Sequence, residues 1–89
     1  MEAMRLTIVG HVQGVGFRAF TKKQAQRLGI TGWVKNCDDG TVEIIANGDE
    51  EKLKMLAVIC EKGPMTAVVK QIMKEEIPLQ SINHFEIRY

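Results

Sequence analysis

The chain has 89 residues, of which 45% are hydrophobic and 26% are charged, and its formal net charge is +1. A chain of this length folds as one globular domain that buries somewhat over ~60% of its unfolded surface. The balanced charge disfavours a protein that binds nucleic acid or anionic lipid. No apolar run approaches the ~20 residues that span a bilayer.

The two cysteines, Cys37 and Cys60, have neither metal-ligand spacing nor the number that a disulfide framework needs. We interpret both as free thiols in a reducing compartment. The first residues, MEAMRLTIVG, lack the cleavage pattern of a signal peptide. The sequence therefore predicts a single cytoplasmic domain over residues 1–89, with no membrane and no nucleic acid as partner, and its size suggests a monomer.

The first half of the chain changes its apolar period twice. Alternation predicts a strand from Met4 to Val12, and a helical period begins at Phe17 and ends near Gly29, where a left-handed cap is expected. A second strand follows from Ile30 to Asn36. The stretch Cys37–Gly40 then carries the Asp-Gly signal of a tight hairpin.

The second half predicts strand three over Thr41–Ala46, strand four over Thr66–Glu75 and a short last strand over Phe85–Tyr89. Between strands three and four, helical spacing marks a second helix through its apolar stripe, Leu53, Leu56, Ala57 and Cys60. The element order indicates an α+β fold, the ferredoxin-like split β-α-β sandwich, with an antiparallel sheet of four to five strands and two helices on one face.

The opposite face of the second helix is unexpectedly apolar, since it carries Met55, Val58 and Ile59. Two explanations stay open. Part of this face packs on the adjoining loop, or the rotation assigned to the helix is wrong.

The loop between the first strand and the first helix is the most distinctive segment. Its glycines, Gly14 and Gly16, let the backbone turn with its amides facing inward at a helix N-terminus, where the unpaired N–H groups attract anions. Arg18 adds a planar fork that suits two oxygens of a phosphate. A Walker A loop is excluded because Gly16-Phe17-Arg18 replaces Gly-Lys-Ser/Thr, and a dinucleotide site is excluded because the acid it needs, Asp38, lies in a hairpin turn.

Other polar residues have a structural and a functional interpretation. Asn36 either caps the hairpin turn or holds a water molecule. His11 is interpreted as a partly exposed strand residue, with a role as a catalytic acid or base as the alternative. His84 is interpreted as solvated, and Trp33 as a packing residue and not a stacking platform.

The stretches Val12–Arg18 and Leu28–Asn36 resemble the two signature motifs of the acylphosphatase family, and residues 39–43 and 63–68 continue the similarity over nearly the whole chain. The resemblance implies a small ferredoxin-like enzyme that hydrolyses acyl phosphates without a metal or another cofactor. Thr66 departs from the family pattern, and we do not expect it to touch the site.

The resemblance also assigns the site. It implies that Arg18 binds the phosphate and that Asn36 orients the attacking water. The phosphate cradle would be the backbone of six residues, Gln13, Gly14, Val15, Gly16, Phe17 and Arg18.

Two functions of other classes stay open. The same fold and loop begin larger carbamoyl-transfer maturation proteins, so the chain could bind carbamoyl phosphate and serve a partner protein. A nucleic-acid or regulatory ferredoxin-like domain is the third possibility, and the small net charge and scarce aromatic residues disfavour it.

Overall fold

The computed structural model describes residues 1–89 as five strands and two helices. The strands are β1 (Glu2–His11), β2 (Thr31–Asn36), β3 (Val42–Gly48), β4 (Val68–Ile77) and β5 (Phe85–Arg88). The helices are α1 (Phe17–Arg27) and α2 (Glu50–Lys62). All predicted elements are present, and their ends lie close to the predicted ones. No helix has the length and apolar character that crossing a membrane requires.

The five strands form one sheet in the order β4-β1-β3-β2-β5. The first four strands pair antiparallel, as predicted, whereas β5 pairs with β2 in parallel, so the complete sheet is mixed. The path of the chain explains this direction. β4 ends beside the start of β1, where Ile77 pairs with Ala3, and residues 78–84 cross that end of the sheet to reach the start of β2. β5 must therefore run back alongside β2 in the same direction.

Both helices cover one face of the sheet, which confirms the ferredoxin-like α+β prediction. The alternating residues Leu6 and Ile8 of β1 are fully buried under them, as are Val42 and Ile44 of β3. Phe17 at the start of α1 is 1% exposed, so burial of its ring fixes where the helix begins. The first turn of α1 is thereby held above the end of β1, which positions the loop described below.

The predicted apolar stripe of α2 faces the core, because all four of its residues are buried: Leu53, Leu56, Ala57 and Cys60. The rotation assigned to this helix is therefore correct. Met55 and Val58 on the other face are 46% and 57% exposed. The apolar character of that face is a real surface feature and not the result of a misplaced helix.

The cysteines lie in different surroundings. Cys60 is fully buried between α2 and the rest of the core, and burial raises the pKa of its thiol to about 12, so it stays protonated at neutral pH. Cys37 is partly buried in the turn between β2 and β3. Neither forms a disulfide.

Candidate active site

A small cavity lies at the end of the sheet where β1, β2 and β5 finish. Its volume is about 160 Å³, below the ~300 Å³ at which pockets for drug-sized ligands begin, so it suits a small ion or group. Nine residues line it: Val12, Gly14, Gly16, Phe17, Arg18, Ala19, Asn36, Ile87 and Tyr89. The cavity therefore brings together Arg18, Asn36 and the loop of residues 12–16 between β1 and α1, called the glycine loop below. The sequence singled these out separately.

The glycine loop presents bare backbone to this cavity. Gly14 and Gly16 have φ angles of 74° and 80°, in the left-handed region that favours glycine. A Cβ at either position would meet nothing within 4 Å, so the requirement for glycine here comes from backbone conformation and not from lack of space. The amides of residues 14–18 donate no hydrogen bond within the protein. These donors are free for a ligand.

The start of α1 also lacks a side-chain cap and a compensating negative charge. Its N-cap residue is Gly16, which offers no side-chain hydrogen bond, and its first turn contains no acidic residue. The partial positive charge of the helix N-terminus therefore has no anionic partner in the protein. Together with the free amides, this gives the end of α1 the chemistry that favours an anion.

Two side chains fix the loop from opposite sides. The Gln13 amide Nε2 donates to the carbonyl oxygens of Cys37 and Thr41 at 2.7 and 2.9 Å, which ties the loop to the β2–β3 turn. The Thr66 hydroxyl donates to the carbonyl oxygen of Val15 at 2.7 Å. The expectation that Thr66 stays clear of the site is therefore wrong, because the turn before β4 lies next to the loop. Sequence gave no signal for a contact across so many residues.

Arg18 lies in the first turn of α1, and its guanidinium carbon is 4.7 Å from the centre of the Tyr89 ring. No carboxylate forms an ion pair with Arg18, and all ion pairs of the protein involve other residues. The guanidinium therefore keeps its donors available in the cavity while an aromatic face restricts its orientation. Tyr89 was not predicted as a site residue, because the direction of β5 decides whether its ring reaches Arg18.

Asn36 is the last residue of β2, and its side-chain oxygen Oδ1 is buried without a hydrogen-bond partner. The turn after it is capped by another residue: Asp39 Oδ1 accepts from the Thr41 backbone amide at 3.0 Å and from the Thr41 hydroxyl at 2.7 Å. The hydroxyl bond is the main reason that the pKa of Asp39 lies below its usual value. The interpretation of Asn36 as a turn cap is therefore wrong. A buried oxygen without a partner is costly unless a water or ligand donates to it.

The remaining candidates do not enter this cavity. His11 and His84 are both exposed, and His84 contacts Glu86 on β5. A larger concavity of about 590 Å³ lies along residues 80–88, and a groove of about 200 Å³ lies between the start of β1 and α2. The groove is lined by four glutamates, Glu2, Glu50, Glu75 and Glu76, which disfavour an anion, and no helix begins in the larger concavity, so the small cavity is the better candidate site. No three His, Cys, Asp or Glu residues come together in a group that could hold a metal ion.

Comparison with known proteins gives consistent results. The family model described as Acylphosphatase matches residues 4–87. The chain is 46% identical over 87 residues to an acylphosphatase of Synechococcus sp. (strain CC9311), and the match covers 98% of this chain and 97% of the relative. It superposes on the crystal structure of acylphosphatase from Bacillus subtilis with a TM-score of 0.97 and 39% identity over 100% of both chains.

A larger protein also contains this fold. The crystal structure of full-length HypF in its phosphate- and nucleotide-bound form superposes with a TM-score of 0.92 and 31% identity. That match covers 99% of this chain and only 12% of HypF. The matched family model extends over nearly all of the sheet and both helices, and the relatives that match end to end carry the same family name. The chain belongs to the acylphosphatase family.

Proposed function

We propose that this protein is an acylphosphatase, which hydrolyses the carboxyl–phosphate anhydride of acyl phosphates to a carboxylate and inorganic phosphate. The observation that carries the proposal is the convergence of unpaired polar groups on one small cavity. The free amides of the lining residues Gly14, Gly16, Phe17 and Arg18 lack partners in the protein, as do the Arg18 guanidinium and the Asn36 oxygen. Family membership supports the same activity.

The phosphoryl group binds in the cradle formed by the backbone of Gln13 to Arg18. Amide donors at the start of α1 receive its oxygens, and Arg18 contributes two parallel N–H donors and a full positive charge. These donors are held in place before the substrate arrives, so they stabilise the charge that spreads over the equatorial oxygens in the transition state.

Asn36 orients the attacking water. Its unpaired Oδ1 accepts a hydrogen bond from the water, which directs an oxygen lone pair at phosphorus in line with the departing carboxylate. As the new P–O bond forms, the bond from phosphorus to the acyl oxygen breaks, and the carboxylate leaves with its electron pair. The proton of the water passes to a phosphoryl oxygen of the substrate itself.

This chemistry needs few protein groups. The conjugate acid of the leaving carboxylate has a pKa near ~4, so the carboxylate departs as a stable anion without a general acid. The transition state of phosphoryl transfer is loose and depends on positioning and charge stabilisation more than on a strong nucleophile. Arg18, the amides and Asn36 supply both. The proposal therefore needs no metal, no cofactor and no side-chain nucleophile.

We also propose that the protein is monomeric and cytoplasmic and that its partner is a small-molecule acyl phosphate. The basis is the chain's size, its net charge of +1 and its two free cysteines. The alternative from sequence, a module that binds carbamoyl phosphate for a partner protein, has less support. The Synechococcus relative has nearly the same span as this chain and is itself called an acylphosphatase.

Hydrolysis of benzoyl phosphate by the purified chain tests the proposal. We expect turnover that is unchanged by EDTA and is inhibited competitively by inorganic phosphate. Phosphate should also raise the melting temperature, since it binds the folded state only. Chloride at matched ionic strength is the control. Phosphate binding without turnover would favour the binding module, and activity that is lost in EDTA and restored by Mg²⁺ would overturn the mechanism.

A further inference from the structure

The Thr66 hydroxyl contacts the glycine loop from outside the cavity. Thr66 lies in the turn between α2 and β4, where the Ala67 amide donates to the Pro64 carbonyl at 2.9 Å. Its hydroxyl donates to the Val15 carbonyl at 2.7 Å, although Thr66 is itself exposed and does not line the cavity. The contact thus joins a hydrogen-bonded turn to the middle of the glycine loop.

Peptide geometry gives this contact a consequence on the other side of the loop. The carbonyl of Val15 and the amide of Gly16 belong to one planar trans peptide unit, in which C=O and N–H point in opposite directions. A hydroxyl that holds the carbonyl on the outside therefore directs the Gly16 N–H away from Thr66. Gly16 lines the cavity, and its amide has no partner in the protein.

Rotation of this peptide unit changes the ψ angle of Val15 and the φ angle of Gly16. Gly16 adopts a left-handed φ of 80° and has open space around its Cα atom, so it restrains the rotation little. Glycine has the widest range of backbone conformations, so a rotated peptide that points the carbonyl into the cavity is accessible there. A carbonyl oxygen facing a phosphate would repel it.

We propose that Thr66 is a positioning residue, whose hydroxyl keeps the Val15–Gly16 peptide in the orientation that presents an amide to the phosphoryl group. The inference rests on the proposed function for the identity of the ligand. Thr66 itself touches neither substrate nor the reacting atoms. Its effect is transmitted through one carbonyl and one peptide plane.

The test compares a substitution that removes the hydroxyl with one that keeps it. Thr66→Val keeps the shape and removes the donor, whereas Thr66→Ser keeps the donor. We expect Thr66→Val to lower kcat/KM for benzoyl phosphate about 10- to 100-fold, the range expected when one oriented donor is misplaced. Phosphate affinity measured by calorimetry should fall in the same variant. Thr66→Ser should retain most of both.

An NMR measurement reports the peptide directly. In the native protein, saturating inorganic phosphate should shift the Gly16 amide resonance strongly downfield, as a new hydrogen bond to an anion does. In Thr66→Val that shift should be lost or greatly reduced, and in Thr66→Ser it should persist. Met65→Ala, a change at a fully exposed neighbour in the same turn, is the matched control and should behave as the native protein does.

The outcomes separate the two proposals. Suppose that the native protein hydrolyses benzoyl phosphate and that Thr66→Val matches it in kcat/KM, phosphate affinity and Gly16 shift. That result would overturn the role of Thr66 alone. Phosphate binding without turnover would overturn the proposed enzyme, while affinity and the Gly16 shift would still decide the role of Thr66. If Thr66→Val melts far below the native protein, Thr66→Ala against Thr66→Ser provides the same contrast, and equal losses in both would contradict the proposal.

Discussion

The two ends of the sheet each place an asparagine where a strand meets a loop, and the two asparagines are used in opposite ways. Asn47 at the end of β3 is 2% exposed and fully bonded. Its Oδ1 accepts from the Gln80 amide at 3.0 Å, and its Nδ2 donates to the Gln80 carbonyl at 3.1 Å and to Thr31 Oγ1 at 3.3 Å. Asn36 at the other end leaves its buried Oδ1 without a partner.

The helix N-termini repeat this contrast. The first turn of α2 contains Glu50 and Glu51, and Glu50 pairs with Lys54 at 3.1 Å. The first turn of α1 has no acid, and this is the difference, since neither helix has a side-chain cap. One end of the molecule thus pairs its asparagine and places acids at its helix N-terminus, and the other leaves polar groups unpaired. Groups left unsatisfied together in one cavity indicate function better than any single residue does.

The largest expected effect comes from Arg18→Ala. In the proposed mechanism Arg18 holds the phosphoryl group in both the ground state and the transition state, so its loss should reduce kcat/KM for benzoyl phosphate by about 10³-fold or more and weaken phosphate inhibition in parallel. Steady-state kinetics with phosphate as inhibitor measure both. Arg18→Lys is the control, and it should recover little because an ammonium cannot form the bidentate contact. An unchanged phosphate inhibition constant in Arg18→Ala would remove this residue from the cradle.

The next effect sharpens the contrast between the asparagines. Asn36→Ala should lower kcat by about 10²- to 10³-fold, the loss expected for one positioned polar group, while phosphate inhibition stays near native. The variant should be at least as stable as the native protein in urea, since it removes a buried oxygen that has no partner. If phosphate inhibition weakens as much as in Arg18→Ala, Asn36 is a phosphate ligand and does not act through the water.

The smallest effect on turnover should come from Asn47→Ala, although it costs the most stability. The change leaves the Gln80 amide and carbonyl without partners, so we expect the free energy of unfolding to fall by about 2–3 kcal/mol. Urea unfolding measures this loss, and kcat per folded molecule should stay near native. A large fall in kcat with native stability would contradict the division between the two ends.

Much of the fold followed from local signals. The apolar stripe of α2, Gly29 after α1 with a φ of 70°, and the alternation in β1 are encoded within a few residues, and all were predicted. The parallel direction of β5 was not predicted, because it depends on which edge of the sheet residues 78–84 reach when they cross its end. No local pattern records that path.

The predicted site residues divide in the same way. Arg18 and Asn36 were recognised through motifs, and both line one cavity. The side chain of Gln13 and the hydroxyl of Thr66 were missed as restraints on the loop, since each acts on a segment distant in sequence. Tyr89 was missed because its place beside Arg18 depends on β5. What escaped prediction was therefore tertiary contact and not residue chemistry.

The two side chains that hold the glycine loop have a consequence for protein engineering. The contacts from Gln13 reach 24 and 28 residues along the chain, and the contact from Thr66 reaches 51. Transplanting Val12–Arg18 onto the start of a helix in another scaffold would carry over the glycines and the arginine. It would leave behind the carbonyls of the β2–β3 turn and the hydroxyl that restrain the backbone. The segment is not a portable phosphate-binding cassette, and a successful graft would have to rebuild both restraints in the host.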